Sequence, residues 1–277
     1  MIIPPLDNPD DVDYVSDWVE LYVTLNKNSI SKATLKKIIE ETSGMETEDT
    51  FVDFVFQRLQ NRSSLYGKNS PIEAEGNLVV SNINWKKNPE YVMNLLLSLW
   101  GNNDEIIKTG KLFEKFSAEA IKKYTSGEVI IYGHPSKQTI KEICDEIKED
   151  FCKEPPPQSK DSGVDVIAWK SFGDNKPSQL IVLFQCASGF NWDQKLLEIP
   201  LKRWSTYITW VCDPVKGFTF PKIIPYEKFK QKAYDCGILF DRARLYRYTF
   251  DSDIPDLRSE ILEWCNVRLE GIKNEVC

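Results

Sequence analysis

Apolar residues in the first hundred positions recur at the spacing of a helix face. They fall near every 3.6 residues in the first segment, which predicts an amphipathic helix. The apolar positions concerned are Val12, Val15, Trp18, Val19 and Val23. The same kind of pattern predicts helices throughout residues 10–62, with Ser31 as an N-cap, and an apolar helix that ends at Gly101. Residues 63–85 read as a loop with short extended pieces.

After residue 104 the pattern alternates between helical periodicity and short apolar runs. A long helix over 104–126 is followed by a strand at 128–133 and a helix over 136–152, which three prolines at 155–157 are expected to end. Two apolar runs, 163–170 and 179–188, are joined by a segment rich in Gly, Asp, Asn and Pro, as in a hairpin.

The last third continues the alternation of strands and helices. The predicted elements are a strand at 206–212, a helix at 226–237, a strand at 238–248 and a final helix at 259–275. This order predicts an α/β fold in which helices flank a mixed central sheet. With 277 residues the chain exceeds one typical domain, so we expect a helical accessory or docking region at 1–101 and a second domain at 102–277.

The hairpin places two polar residues in an apolar setting. Its turn is centred near residue 175, so residues that face each other have numbers that sum to about 350, as Asp165 and Gln185 do. Regular pairing would bring their Cβ atoms to roughly 5 Å on one face of the sheet. Because a lone acid and a lone amide are costly to bury, a divalent cation is a natural partner for them.

Composition removes several classes of catalysis. The chain has one histidine, His134, which argues against His-Asn-His nucleases, His-ligated zinc hydrolases and Ser-His-Asp or Cys-His mechanisms. Any catalysis is therefore expected to use carboxylates, amides and lysines. The net charge of −7 counts against tight unassisted DNA binding, which depends on neutralising phosphates.

Cysteine usage and the termini bear on the compartment. Seven cysteines, an odd number without a Cys-x-x-Cys pair, are typical of reduced thiols in the cytoplasm. The N-terminal residues lack the pattern of a signal peptide, and no apolar run approaches the ~20 residues of a membrane span. A cytoplasmic protein without a membrane partner is the expectation.

Three motifs resemble the PD-(D/E)XK nuclease superfamily of restriction-endonuclease-like enzymes. Gly163-Val164-Asp165-Val166 resembles its aspartate motif, and Phe184-Gln185-Cys186-Ala187 resembles its (E/Q)xK motif with Gln in place of Glu. Residues 110–114 resemble the helix that supplies an additional Glu. The resemblance covers about residues 105–215 and implies a core of helix, strand, hairpin, helix and strand.

The resemblance also implies a chemistry. It predicts an endonuclease that hydrolyses phosphodiester bonds of DNA with Mg²⁺ or Mn²⁺, in a setting such as phage defence or restriction. Glu114, Asp165 and Gln185 would hold the metal ion. Ala187 stands where the family has its lysine, so Lys195 on the following segment is the candidate replacement, ahead of Lys170 and Lys202.

Other interpretations remain open from the sequence. The substrate could be RNA, or the domain could be a catalytically inactive nuclease-fold module in a defence complex. Because the chain is acidic, activity is expected to depend on a protein partner or on a homo-oligomer formed through the N-terminal region. The tyrosine-flanked Arg242, Arg244 and Arg247 would contact nucleic acid or simply form an exposed strand face.

Overall fold

The structure is a computed structural model that describes residues 3–101, 107–133, 138–159 and 161–275. His134 lies outside these residues. The chain forms two compact units: the first comprises residues 1–101, 221–223 and 253–277, and the second comprises 102–220 and 224–252. The final helix therefore belongs to the first unit, whereas the predicted division had placed it with residues 102–277.

The first unit is mainly helical. In chain order its elements are α1 (Val12–Asn26), β1 (Ser29–Ser31), α2 (Lys32–Ser43), α3 (Asp49–Tyr66), β2 (Ile72–Glu75), β3 (Leu78–Ser81) and α4 (Pro89–Trp100). The Asp11 side chain caps α1, and Ser31 caps α2 by accepting from the backbone N–H of Thr34, as predicted. The strands form an antiparallel sheet in the order β1-β3-β2.

A buried ionic network lies at the centre of the first unit. Arg62 on α3 is 1% exposed and donates to Asp17 at 2.6 Å and to Glu20 at 2.9 Å, both on α1. Three hydroxyl groups also donate to these two carboxylates, those of Tyr66, Tyr91 and Ser98. The network joins α1 with α3 and α4, so it is part of the packing of the helices.

The second unit contains the larger sheet. Its elements are α5 (Ile107–Thr125), β4 (Glu128–Ile131), α6 (Ile140–Ile147), β5 (Asp150–Phe151), β6 (Val166–Lys170), β7 (Leu180–Cys186), α7 (Leu201–Trp204), β8 (Ile208–Thr209), β9 (Val215–Thr219), α8 (Tyr226–Cys236), β10 (Ile238–Phe240) and α9 (Arg242–Thr249). The last helix of the chain is α10 (Pro255–Glu275) in the first unit, where it packs on α4.

Five strands of the second unit form one mixed sheet in the order β10-β9-β7-β6-β4. β4, β6 and β7 pair antiparallel, whereas β7, β9 and β10 pair parallel. α5 packs on the sheet at β4, β6 and β7, and a buried apolar cluster lies between the sheet and α6 and α7. The predicted α/β fold with a mixed sheet flanked by helices is confirmed.

The register of the hairpin is as predicted. Val166 pairs with Phe184 and Ile167 with Leu183, so facing residue numbers sum to 350 throughout the ladder. The sequence of β7 is a continuous apolar run. This is expected for a central strand, because both of its faces are buried. The resemblance implied the order helix, strand, hairpin, helix and strand. In the structure α5, β4, the hairpin β6–β7, the four-residue α7 and β9 follow one another in this order, with α6 and β5 inserted between β4 and the hairpin and β8 between α7 and β9.

The predicted strand at 206–212 was placed wrongly. Within 206–212 only Ile208–Thr209 is a strand, and it pairs with β5 in a separate two-stranded sheet. β9, the sequence VKGFT, completes the central sheet instead. A Cβ at Gly217 would lie 2.2 Å from the Phe184 ring, so the packing of β9 on β7 requires glycine at this position. Glycine weakens the sequence pattern from which a strand is predicted.

The predicted strand over 238–248 is also wrong. Only β10 is extended, and α9 begins at Arg242 because the Asp241 carboxylate caps it by accepting from the Arg244 N–H. Arg242 is buried, and Arg244 donates to the Leu239 carbonyl and lies over the Phe229 ring. Arg242, Arg244 and Arg247 therefore lie on a helix, and an exposed arginine strand does not form.

The helix before the hairpin is shorter than predicted, and the prolines do not end it. α6 ends at Ile147, and Lys148 adopts a left-handed conformation as its C-cap. Residues 150–151 then leave the helix to pair with β8. Pairing with a distant strand, rather than Pro155, determines where this helix ends.

Candidate active site

An open cavity of ≈ 490 Å³ lies where β6 begins and β7 ends. It brings together all four residues predicted from the sequence: Glu114, Asp165, Gln185 and Lys195. Two further acids, Asp161 and Glu198, also line it. The cavity lies entirely within the second unit.

The backbone around Asp165 fixes its position at the mouth of the hairpin. Its N–H donates to the Phe184 carbonyl at 2.8 Å, and its carbonyl accepts from the N–H groups of Tyr132 and Gly133 at 2.8 and 3.0 Å. Its carboxylate accepts from the N–H of Cys186 at 2.7 Å. The side chain is thus held between the ends of β4 and β7.

Asp165 and Gln185 line the same cavity, but the regular ladder ends one residue before them. Val166 with Phe184 is its last pair. Beyond this pair the Asp165 N–H turns to the Phe184 carbonyl instead of continuing the ladder towards Gln185. This local departure from the ladder accompanies the hydrogen bond that the Asp165 carboxylate accepts from the N–H of Cys186.

Burial and neighbouring negative charge make the cavity unfavourable for ionised carboxylates. Burial, and then the charge of Glu114, raises the pKa of Asp165 from 3.8 to about 7, against the opposing effect of the Cys186 N–H. Burial likewise raises the pKa of Glu114, and Lys111 partly opposes this rise. Asp161 raises the pKa of both groups further. Burial is thus the main reason that both carboxyl groups hold their protons more tightly than usual.

Glu114 enters the cavity from α5, one helical turn after Lys111. The Lys111 ammonium donates to the Glu114 carboxylate at 2.8 Å. Gly133 lies against this ion pair: a Cβ there would be 2.6 Å from Glu114 Oε2 and 2.9 Å from Lys111 Nζ. Because Gly133, which follows β4, has no side chain, the ion pair of Lys111 and Glu114 fits beside it.

Gln185 presents one buried amide oxygen to the cavity. The side chain is 5% exposed, and its Nε2 donates to the Glu198 carboxylate. Its Oε1 is buried and has no hydrogen-bond partner among the residues that the structure describes. Because an unpaired buried carbonyl oxygen is costly, this atom is available to a ligand that enters the cavity.

Lys195 lines one wall of the cavity from the end of a 3-10 turn, Trp192–Lys195. Trp192 stacks on Phe220 with ring centroids 4.2 Å apart, which anchors that wall. Ala187 is buried in the same apolar cluster, so a lysine at 187 would have to displace packed side chains. Lys170, which donates to the Ser126 carbonyl, and Lys202 do not line the cavity.

The donor set of the cavity fits a hard divalent cation in type. Glu114 and Asp165 offer carboxylate oxygens, and Gln185 offers the unpaired amide oxygen, all of which are ligands that Mg²⁺ and Mn²⁺ accept. Within the described part of the chain, no three His, Cys, Asp or Glu side chains are grouped closely enough to form a metal site by themselves. Carboxylates alone therefore do not form a metal site in these residues.

Three residues of the site were not predicted from the sequence. Lys111 stands in the motif that contains Glu114, and its spacing of three residues on a helix was an available signal. Asp161 begins the turn before β6, where its carboxylate accepts from the Gly163 N–H. Glu198 lies thirteen residues from Gln185 in irregular chain, so no local pattern connects the two.

Comparison with known proteins adds little. No family model matches the chain, and no curated protein matches it. A structure of the restriction endonuclease FokI is similar with a TM-score of 0.31 and 8% identity over 89% of this chain, which spans 46% of that structure. A likeness of this size carries no argument about function. In the described residues, no helix has the length and apolar character needed to cross a membrane.

Proposed function

We propose that the second unit is a metal-dependent endonuclease of the PD-(D/E)XK type that hydrolyses phosphodiester bonds in DNA. The observation that supports this proposal most directly is the amide oxygen of Gln185, which has no hydrogen-bond partner among the described residues and shares one open cavity with the buried Glu114 and the half-buried Asp165. Together these side chains offer three oxygen donors of the kind that a divalent cation binds.

Glu114, Asp165 and Gln185 would hold Mg²⁺, or Mn²⁺, through their oxygens. When bound, the cation supplies Lewis-acid stabilisation of the phosphate and lowers the pKa of a water molecule. The Cys186 N–H holds the Asp165 carboxylate in place, and Lys111 balances part of the charge of Glu114. Lys195 provides a positive charge at the cavity wall, where it would meet the charge that develops on the phosphate.

The acidic character of the whole chain bears on how substrate reaches the site. With a net charge of −7, DNA binding is expected to need a protein partner or a second copy of the chain. The helical first unit is the proposed docking region, and phage defence or restriction is the proposed setting, both by association with the family alone.

The proposal is tested by cleavage of supercoiled plasmid DNA with Mg²⁺ by the full chain and by Asp165→Ala. Removal of a metal-holding carboxylate is expected to lower the cleavage rate by about 10³-fold or more. Lys202→Ala, outside the cavity, serves as the matched control and should cleave at the wild-type rate. A parallel assay with RNA of the same sequence distinguishes the two substrates.

Two results would contradict the endonuclease. Equal cleavage by the wild type and Asp165→Ala would show that the cavity is not the active site. Absence of cleavage by the wild type, together with unchanged biological activity of Asp165→Ala, would favour an inactive nuclease-fold module in a defence complex.

A further inference from the structure

We propose that Glu198 is a positioning residue that orients the Gln185 amide, so that Gln185 and Glu198 together replace the single Glu of the usual motif. This inference rests on the proposed function, because it concerns how the amide oxygen reaches the same cavity. Glu198 would act through Gln185 and is distinct from the residues proposed to hold the cation.

The argument begins with the two ends of an amide. Its NH₂ group only donates hydrogen bonds and its oxygen only accepts them, while an ionised carboxylate only accepts. Because Glu198 faces the amide, the NH₂ end must point towards Glu198, and this is the hydrogen bond that the structure contains. The oxygen is thereby turned away from Glu198, and none of the described residues gives this buried atom a hydrogen bond.

The backbone holds Glu198 in a defined place. Gly163 has a φ of +78°, and a Cβ there would lie 2.4 Å from the Glu198 carbonyl oxygen, so the turn before β6 packs directly on this segment. The Glu198 N–H also donates to the Lys195 carbonyl at 3.0 Å. An acceptor fixed in this way can select one of the two orientations of the buried amide.

The pair also accounts for Gln at a position where the motif usually has Glu. A carboxylate at 185 would face the Glu198 carboxylate at hydrogen-bonding distance, and two like charges in a part-buried site repel each other. Gln at 185 and Glu at 198 keep one negative charge in the pair and one hydrogen bond between the two side chains. The inverse arrangement, Glu at 185 and Gln at 198, would keep both as well.

The first test measures amide orientation without any cation. In the metal-free full-length protein, hydrogen exchange of the Gln185 side-chain NH₂ is followed by NMR, and the signal is assigned by its loss in Gln185→Glu. Exchange is expected to be at least about 10-fold faster in Glu198→Ala, which lacks the acceptor. It should stay near the wild-type rate in Glu198→Gln, whose amide oxygen can still accept. Equal exchange in wild type and Glu198→Ala would overturn the proposal.

The second test measures binding of Mn²⁺ by calorimetric titration. Glu198→Ala is expected to bind about 10-fold more weakly, and Glu198→Gln within about 3-fold of the wild type, as for an outer residue that orients a ligand. Asp193→Ala, an exposed acid of the neighbouring turn that does not line the cavity, is the matched control. If Glu198→Gln lost as much affinity as Glu198→Ala, the carboxylate charge would be what matters, and the positioning role would be wrong.

A double-mutant cycle completes the design. Gln185→Glu alone is expected to lower the thermal stability of the metal-free protein, and addition of Glu198→Gln should restore it, because the inverse pair again has one donor and one charge. Additive effects would contradict the pair. If Asp165→Ala cleaved DNA normally, the proposed function would fail, whereas the amide exchange experiment would still decide the orientation of Gln185.

Discussion

Both units contain charged side chains that are removed from water, but the two units differ in the partners that these side chains have. In the first unit Arg62 donates to Asp17 and Glu20, and three hydroxyls donate to the same carboxylates. In the second unit burial, and then neighbouring acids, raises the pKa of Asp165 and Glu114, and the Gln185 oxygen has no hydrogen-bond partner among the described residues.

The difference separates a structural network from a candidate site. Buried charges that receive an ion pair and hydrogen bonds from the chain itself join helices and already have their partners within the protein. Buried carboxylates in an open cavity are maintained at a cost to stability, and functional sites commonly have this property. The comparison predicts that removing the cation of the network lowers the free energy of unfolding, whereas neutralising a carboxylate of the cavity raises it.

The largest effect is expected for Arg62→Met. The substitution leaves Asp17 and Glu20 buried without their cation and should lower the free energy of unfolding by about 3–5 kcal/mol. Urea denaturation measures the change. Arg58→Met is the matched control, since Arg58 pairs with Asp13 in a half-exposed position and should cost about 1 kcal/mol or less. Equal losses for the two variants would show that the network does not carry the stability assigned to it.

An opposite effect is expected for Asp165→Asn in the metal-free protein. The pKa of Asp165 lies at about 7 instead of 3.8, so the folded state holds the proton more tightly than the unfolded state. Ionisation of Asp165 therefore lowers the free energy of unfolding. This loss of stability is absent below about pH 4 and reaches its full size above about pH 7.

At pH 8 Asp165→Asn should therefore be more stable than the wild type by about 1–3 kcal/mol, and the difference should vanish near pH 4. Denaturation at both pH values measures it, and Asp193→Asn, an exposed acid, should change stability by no more than about 0.5 kcal/mol. If Asp165→Asn were less stable than the wild type at pH 8, the cavity would stabilise the ionised Asp165 carboxylate, as the network of the first unit stabilises its carboxylates.

The smallest effect is expected for Lys111→Met, which removes the partner of Glu114. Loss of this part-buried ion pair should lower the free energy of unfolding at pH 8 by about 1 kcal/mol, and by less in acid, where Glu114 is protonated. Lys195→Met is the comparison, with a stability change within about 0.5 kcal/mol. A cleavage rate that falls only in Lys195→Met would identify Lys195 as the substrate-facing lysine, and a fall only in Lys111→Met would assign the catalytic charge to Lys111.

The helices and the hairpin could be predicted because their signals are local. Ser31 as a cap, the apolar period of α1 and the facing numbers of β6 and β7 depend on residues close together in the chain. β9 and α9 could not be predicted in the same way. Gly217 is required by the ring of Phe184, and α9 begins where the Asp241 carboxylate accepts a hydrogen bond, so packing and capping overrode strand propensity.

The sequence by itself determined the register of β6 and β7, since side-chain alternation and loop length set it, and this register placed Asp165 and Gln185 just beyond the last regular pair, where both line one cavity. It also restricted the available chemistry to carboxylates, amides and lysines, because the chain contains one histidine. Only the tertiary structure decided that Lys111 pairs with Glu114 against Gly133 and that Glu198 faces Gln185. These contacts join segments that are distant in the chain or irregular in conformation, and their geometry follows from close packing instead of from any repeating pattern.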